Sequence, residues 1–376
     1  NIEASAKFQN KFIFFQQLIL SIIMALIIDY STHRYKDTTL VFTEILGLMG
    51  ADEAVIEAAS TYTRIMFGSC FTIVFLFLIN GIFRGAGDAS LAMRALTIAN
   101  CINIVLDPCL IYGYGPFPEM GLSGAAVATN IGRGIGVLYG LYYLCGGGGR
   151  IQLHLQNMIL HIKTMRHLIR ISTGGVAQFL VGTASWVFLM QLVSSFGSEA
   201  VAGYTIAVRV VMFTILPAWG LSNAAATLVG QNLGAGLMDR AETTVWYIVK
   251  YNSMYMGLVS VLILLFTQPI ILIFVDNEIV VNYGIESLRI FSLAFVAWGA
   301  GMALTQAFNG AGDTMTPTWI NVFCFWVVEI PLAYSLALGL NLGPSGGFSS
   351  VFAADILLGI VGFLVFRRGK WKLQQF

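Results

Sequence analysis

An amide and a carboxylate, Asn103 and Asp107, lie four residues apart in the otherwise apolar stretch NIVLDP. If this stretch is helical, the spacing places both side chains on one face. Pro108 follows, and a proline inside a helix can kink it and free backbone carbonyls. Such an oxygen-rich group suits a hard cation, whereas a desolvated carboxylate can instead take up a proton. Asn103 and Asp107 are therefore candidates for a cation site; the alternative is that Asp107 caps or turns a helix end near the outer interface.

Arg133, Arg209 and Glu329 also lie inside long apolar segments. Ionisable residues are costly in a bilayer and are functional candidates there. Arg209 and Glu329 can pair and neutralise each other, or they can take part in substrate binding or gating. Arg133 can reach Asp107 or the cytoplasmic interface.

The composition indicates that the solvent of this chain is lipid. Of 376 residues, 57% are hydrophobic and 10% are charged, whereas soluble domains carry about 25% charged residues. The net charge of +1 argues against a nucleic-acid partner, which requires a concentrated basic face. The sequence shows no Ser/His/Asp grouping, HExxH motif or clustered acids suited to catalysis, so we expect neither an enzyme nor a bound cofactor or metal, apart from a coupling ion.

Long apolar segments that could span a membrane recur along the whole chain. A spanning helix needs about 20 mostly apolar residues, and nothing resembles the alternation of barrel strands. The sequence therefore predicts an all-α polytopic membrane protein. The ten candidate segments are 11–28, 64–82, 95–113, 121–144, 169–194, 200–230, 246–275, 284–308, 317–340 and 347–366.

Lys and Arg residues between the segments are distributed unevenly. If the N-terminus is placed inside, most of them fall in the inner loops and tails. Short cytoplasmic loops carry such an excess. We therefore expect a multi-pass protein of the plasma membrane with both termini in the cytoplasm.

Two similar hexamers, RGAGDA at 84–89 and NGAGDT at 309–314, lie 225 positions apart. Each closes one apolar run and opens another. Their glycines permit a tight reversal, and the aspartates can cap the following helix. GLSG at 121–124 and GPSG at 343–346 also correspond. Residues 44–144 and 269–366 thus form a parallel repeat, which is a known plan of transporters.

The repeat also predicts the domain organisation. From 169 onward the second copy contains six segments, whereas the first contains four, so we expect the first two helices to be absent from this sequence. The stretch 29–42 is longer and more polar than its counterpart around 266–274. We interpret it as an outer-loop insertion or a badly translated stretch. We expect an N-terminal lobe at 1–144, a cytoplasmic linker at 145–168 and a C-terminal lobe at 169–376.

Several motifs, in their order along the chain, resemble the multidrug and toxic compound extrusion (MATE) family. They are LINGIFRGAGDA, NIVLDPCLIYG, GLSGAAVAT, AATLVGQNLGAG, TQAFNGAGDTMTP and WVVEIPLAY. The resemblance implies twelve helices in two pseudo-symmetric lobes, of which ten are present here. It also implies cytoplasmic termini and export of organic cations and drugs by alternating access, driven by Na⁺ or H⁺ entry.

The resemblance also implies roles for particular residues. Similar MATE proteins use an Asn-xxx-Asp pair on the fifth helix and a Thr on the sixth in a cation site, and these match Asn103, Asp107 and Thr129. Asn80 can line the same pocket. Some branches have a membrane Glu on the seventh helix; the nearest polar residue here is Gln178, which cannot carry a proton. Coupling through the N-terminal lobe is therefore favoured.

The function predicted is that of a secondary active antiporter, which exports organic cations, drugs or metabolites in exchange for H⁺ or Na⁺. Its partners would be cationic amphiphilic small molecules and the lipid bilayer, and it would act as a monomer. One alternative is a lipid-linked oligosaccharide flippase, which should have a cavity rich in Arg or Lys. Another is a truncated remnant that does not transport.

Overall fold

The computed structural model describes residues 53–146 and 162–373, and their regular secondary structure is entirely helical. The predicted segment 11–28, the stretch 29–42 and most of the predicted linker lie outside the described residues. The described helices are α1 Glu53–Gly68, α2 Cys70–Gly85, α3 Ala89–Tyr112, α4 Leu122–Cys145, α5 Ile162–Ser194, α6 Ser198–Gly234, α7 Met238–Leu272, α8 Glu278–Gly310, α9 Met315–Gly339 and α10 Pro344–Arg367.

Most of these helices match the predicted membrane segments. Within the described ranges, seven helices are long and apolar enough to cross a bilayer, and α1 and α2, which meet at 45°, can together form an eighth span. Helix α4 has 24 residues, but its glycines, Asn130 and Arg133 lower its hydropathy. The chain is a multi-pass, all-α membrane protein, as its composition predicts.

The chain divides into two compact units, Asn1–Leu168 and Ile169–Phe376. In the first unit, small residues let α4 approach its neighbours. A Cβ atom added at Gly132 would lie 2.6 Å from the Ala99 carbonyl oxygen on α3, and one at Gly124 would lie 2.4 Å from the Leu110 carbonyl oxygen. Membrane helices use small residues in this way because lipid provides no hydrophobic force between helices.

In the second unit, aromatic rings and buried amides join the helices. Tyr204 stacks on Phe348 with ring centroids 5.8 Å apart, and both side chains are buried. Asn252 of α7 is fully buried; its Nδ2 donates to the Gly299 carbonyl oxygen at 2.8 Å and to Ser222 Oγ at 3.1 Å. These contacts hold α6, α7 and α8 together where the chain offers few charged groups.

The predicted repeat has similar backbone conformations at the reversals of both copies. Gly87 and Gly312, which occupy the same place in the two hexamers, have φ angles of 82° and 76°. Gly121 and Gly343 precede α4 and α10 with φ angles of 54° and 63°. Residues with a Cβ atom rarely adopt this left-handed region, so each copy uses glycine at the same reversals.

The aspartates of the two hexamers behave differently. In both corners the aspartate N–H donates to the carbonyl five residues earlier, at 2.7 Å for Asp88 and 3.0 Å for Asp313, which closes the preceding helix as a Schellman motif does. Asp313 Oδ1 also accepts from the Thr316 N–H at 3.1 Å, as predicted for a cap. The prediction is wrong for Asp88, whose side chain accepts no hydrogen bond from the start of α3.

Helix α9 is irregular along much of its length. It contains π-helical turns at Val322–Glu329 and Ser335–Gly339, with Pro331 between them. Such turns are rare and occur frequently at functional sites. The corresponding helix of the first unit, α3, is α-helical throughout, so the two copies differ in helix type at this position.

Candidate cation-coupling site

The structure brings Asn103, Asp107 and Thr129 together. Asn103 Nδ2 donates to Asp107 Oδ1 at 3.3 Å and to Thr129 Oγ1 at 3.2 Å. Turning the Asn103 amide by 180° improves the network: Nδ2 then donates to Asp107 Oδ2 at 3.0 Å, and the amide oxygen accepts from Thr129 Oγ1 at 3.2 Å. Hydrogen-bond networks of this kind decide the amide orientation, so we adopt the second arrangement.

Two features of the sequence position this cluster. The four-residue spacing puts Asn103 and Asp107 on one face of α3, and Pro108 immediately follows within the same helix. Thr129 reaches them because α4 lies close to α3: a Cβ atom at Gly132 would be 3.5 Å from the Asn103 Cβ. All three polar side chains are half-buried. Carboxylate, amide and hydroxyl oxygens on one wall can bind a cation, or the carboxylate can accept a proton.

Asn80 and Arg133 do not join the cluster through a hydrogen bond or ion pair. Asn80 of α2 is 1% exposed, and neither atom of its amide has a hydrogen-bond partner in the described part of the chain. Arg133 is half-buried on α4, one turn after Thr129, and forms no ion pair with Asp107. The connection from α2 to α4 is made instead by Thr72 Oγ1, which donates to Asn130 Oδ1 at 3.2 Å.

Gln178 of the second unit forms hydrogen bonds in both directions with the side-chain amide of Asn309. Its Nε2 donates to Asn309 Oδ1 at 2.9 Å and to the Thr314 carbonyl oxygen at 2.9 Å, and Asn309 Nδ2 donates back to Gln178 Oε1 at 3.2 Å. This pair joins α5 to the end of α8 and to the corner that follows. These hydrogen bonds link neighbouring helices and indicate a structural role for Gln178.

Arg209 and Glu329 do not form the ion pair offered by the sequence. Arg209 is exposed on α6, whereas Glu329, at the end of a π-helical turn of α9, is only 6% exposed. Sequence reasoning also missed Asp355, whose side chain is 7% exposed on α10. The signal was available, because Asp355 lies in the middle of the apolar segment 347–366.

A repeated set of spanning helices, with polar side chains gathered inside a span, is typical of a polytopic transport protein. The MatE family model matches residues 9–109 and 176–335, which is more than half of the chain. The chain therefore belongs to the MatE family. Proteins of this family are membrane transporters, so the chain is a transporter and not an enzyme.

Individual relatives agree with this assignment. The probable multidrug resistance protein YoeA of Bacillus subtilis is 27% identical over 343 residues, which cover 89% of this chain and 73% of that protein. The FAD transporter of Shewanella oneidensis is 25% identical over 331 residues, covering 86% and 71%. The outward-facing structure of a multidrug resistance MATE family transporter of the MOP superfamily is 26% identical and covers 97% of this chain and 80% of its own, with a TM-score of 0.87.

Proposed function

We propose that this chain is a secondary active efflux transporter that exports organic cations, drugs or metabolites in exchange for H⁺ or Na⁺ by alternating access. The observation that carries the proposal is the half-buried cluster of Asn103, Asp107 and Thr129 on two helices of the membrane domain. The multidrug resistance names of the relatives favour export of small molecules.

The chemistry of the cluster favours coupling to a cation. A charged Asp107 inside a span is costly unless a bound cation or proton neutralises it. The Asn103 amide and the Thr129 hydroxyl supply additional polar contacts at about hydrogen-bond distance. Loading and unloading the site would therefore change the free energy of the surrounding helices, and such a difference is what can bias a transporter between two conformations.

We propose cationic amphiphilic substrates; the relative named as an FAD transporter makes an anionic dinucleotide the appropriate comparison compound. The protein would act as a monomer in the plasma membrane, with a cytoplasmic C-terminus and no cofactor beyond the coupling ion. A flippase should have a cavity rich in Arg or Lys, whereas of the two arginines within spans Arg133 is half-buried and Arg209 is exposed.

Transport by the purified chain in proteoliposomes tests the proposal, with Na⁺ and pH gradients imposed separately. Asp107→Asn keeps the shape of the side chain but removes its charge, so gradient-driven export should fall by about tenfold or more, which corresponds to about 1.4 kcal/mol. Glu119→Gln makes the same chemical change at an exposed position between α3 and α4 and should transport normally. Export by Asp107→Asn equal to that of Glu119→Gln would refute the assigned site.

A further inference from the structure

The chain beyond α10 carries a run of basic residues, RRGKWK at 367–372. The side chains of Arg367, Arg368 and Lys370 are exposed. None of these three forms an ion pair within the described ranges, whereas Lys372 does. Three cations that the protein itself does not neutralise therefore lie within four positions at the end of a membrane span.

Trp371 fixes the backbone that carries these cations. Its side chain is 1% exposed. The ring stacks on Phe366 with centroids 4.7 Å apart, and its Nε1 donates to the Phe366 carbonyl oxygen at 3.2 Å. Gly369, with a φ angle of 69°, turns the chain back, and Lys372 forms an ion pair with Glu242 of α7. The basic run is thus held against α7 and α10 and does not hang free.

An apolar groove lies between α7, α8 and α10. Its volume is about 490 Å³, within the range of about 300–1,000 Å³ that is usual for ligand sites. Val296, Ile360 and Leu364 line it and are exposed. Ser253 is the one lining residue with a polar side chain among those described, and its hydroxyl donates to the Val296 carbonyl oxygen at 3.3 Å. Such a surface suits a hydrocarbon chain.

The groove and the basic run meet at the end of α10. Phe363 and Leu364 line the groove, and Arg367 follows them by one helical turn, with its guanidinium carbon 5.6 Å from the centroid of the Phe363 ring. Trp246 of α7 also packs on Phe363, with ring centroids 5.4 Å apart. Tryptophan is enriched where a membrane meets water. We therefore place the cations at the level of the lipid headgroups and the groove at the level of the acyl chains.

The basic run is not part of the repeated unit. When GLSG at 121–124 is placed on GPSG at 343–346, CGGGGR at 145–150 falls opposite RRGKWK at 367–372. The first copy thus has one arginine there and no tryptophan. A buried tryptophan and three exposed cations are features of the second copy alone, so closing the repeated helix does not require them.

We propose that the groove and the basic run together bind an anionic phospholipid, with an acyl chain in the groove and the headgroup phosphate against Arg367, Arg368 and Lys370. Guanidinium groups bind phosphate through paired, charge-assisted hydrogen bonds. Basic clusters immediately beyond a membrane helix attract anionic lipids. A free phosphate has no chain for the groove and a neutral lipid has no net charge for the cations, so an anionic phospholipid is the ligand that uses both parts. This lipid is a bound partner and not cargo, and the inference does not depend on the proposed function.

Thermal unfolding of the purified full chain in detergent measures the binding, because a ligand that binds the folded state raises the unfolding temperature. Phosphatidylglycerol should raise it, phosphatidylcholine with the same acyl chains should raise it less, and glycerol phosphate, which lacks the chains, should leave it unchanged. The concentration dependence gives the apparent affinity. In Arg367→Gln/Arg368→Gln the affinity for phosphatidylglycerol should fall about 30-fold, which corresponds to about 2 kcal/mol for two cations.

Arg166→Gln/Arg170→Gln is the matched control, since it removes two exposed arginines from α5 and should leave the affinity for phosphatidylglycerol unchanged. Ala300→Phe tests the groove: Ala300 lines it, and the larger side chain should occupy it and weaken the binding of both lipids about tenfold or more. The unfolding temperature of each variant without lipid shows whether that variant is folded.

Four results would overturn the proposal. Equal affinities of the unaltered chain for the two lipids would remove the selectivity for charge. An equal loss of affinity in the two arginine variants would show attraction to the whole surface and not to this site. Stabilisation by glycerol phosphate equal to that by phosphatidylglycerol would leave a phosphate site that does not use the groove, and an unchanged affinity in Ala300→Phe would exclude the groove directly. None of these measurements requires transport, so a failure of the proposed function is distinguishable from a failure of the lipid site.

Discussion

Gly132 lies where α4 contacts α3 beside the cation-coupling cluster, so its replacement by alanine tests how that cluster is built. The added Cβ atom would lie 2.6 Å from the Ala99 carbonyl oxygen, whereas ordinary van der Waals contact begins at 3.4 Å. The helices must therefore separate by about 0.8 Å at this point. The atoms that it would meet are the Ala99 carbonyl group and the Asn103 Cβ. They belong to rigid helical backbone or are attached directly to it, so none can move aside as the end of a flexible side chain would.

The separation should disconnect the cluster. The distance between Asn103 and Thr129 Oγ1 is 3.2 Å, and an increase of about 0.8 Å would carry it beyond hydrogen-bond range. Overpacking of this kind costs about 1–3 kcal/mol. We therefore expect Gly132→Ala to lower both the stability of the protein and its gradient-driven export.

Gly134 supplies a matched control on the same helix. A Cβ atom added there meets nothing within 4 Å, and alanine is a better helix former than glycine by about 1 kcal/mol. Thermal unfolding in detergent and export from proteoliposomes should be compared for the two variants. If Gly132→Ala and Gly134→Ala gave the same stability and the same export, the close approach of α3 and α4 would not be what assembles the cluster.

Two further substitutions test buried amides. Asn80→Leu removes an amide that is buried with no hydrogen-bond partner among the described residues, so the protein should become more stable by about 1 kcal/mol or more, measured as a higher unfolding temperature. If Asn80 contributes to the cation site, export should fall at the same time. A lower unfolding temperature would show that the amide has a partner. Gln178→Leu breaks the pair with Asn309, leaves Asn309 Oδ1 without its donor and should cost about 1–3 kcal/mol. A preserved preference for Na⁺ or H⁺ is expected in transport assays, and a changed preference would contradict the structural role of Gln178.

The sequence predicted helices and turns better than it predicted contacts between helices. The α-helices were predictable because each long apolar run must satisfy its own backbone hydrogen bonds in lipid. The spacing of Asn103 and Asp107 was equally informative, since residues four apart on a helix must share a face. The left-handed conformations at Gly87 and Gly312 followed from the repeated hexamers.

Contacts between helices were predicted less well. The sequence left open whether Arg209 and Glu329 pair or take part in substrate binding or gating; in the structure the first is exposed and the second is buried. The π-helical turns of α9 change which residues face inward, and no motif in the sequence marks such a turn.

The sequence by itself determined that this chain spans a membrane, that it repeats a helical unit and that a carboxylate and an amide share one face of α3. The family resemblance added Thr129 to this pair, and only the tertiary structure showed that Thr129 hydrogen-bonds to Asn103 and that Gln178 pairs with Asn309, 131 positions away. The physical reason is that helices in lipid are apolar on nearly every side. Their hydrophobic pattern therefore does not specify which face turns inward, and that rotation is set by close packing at small residues such as Gly132.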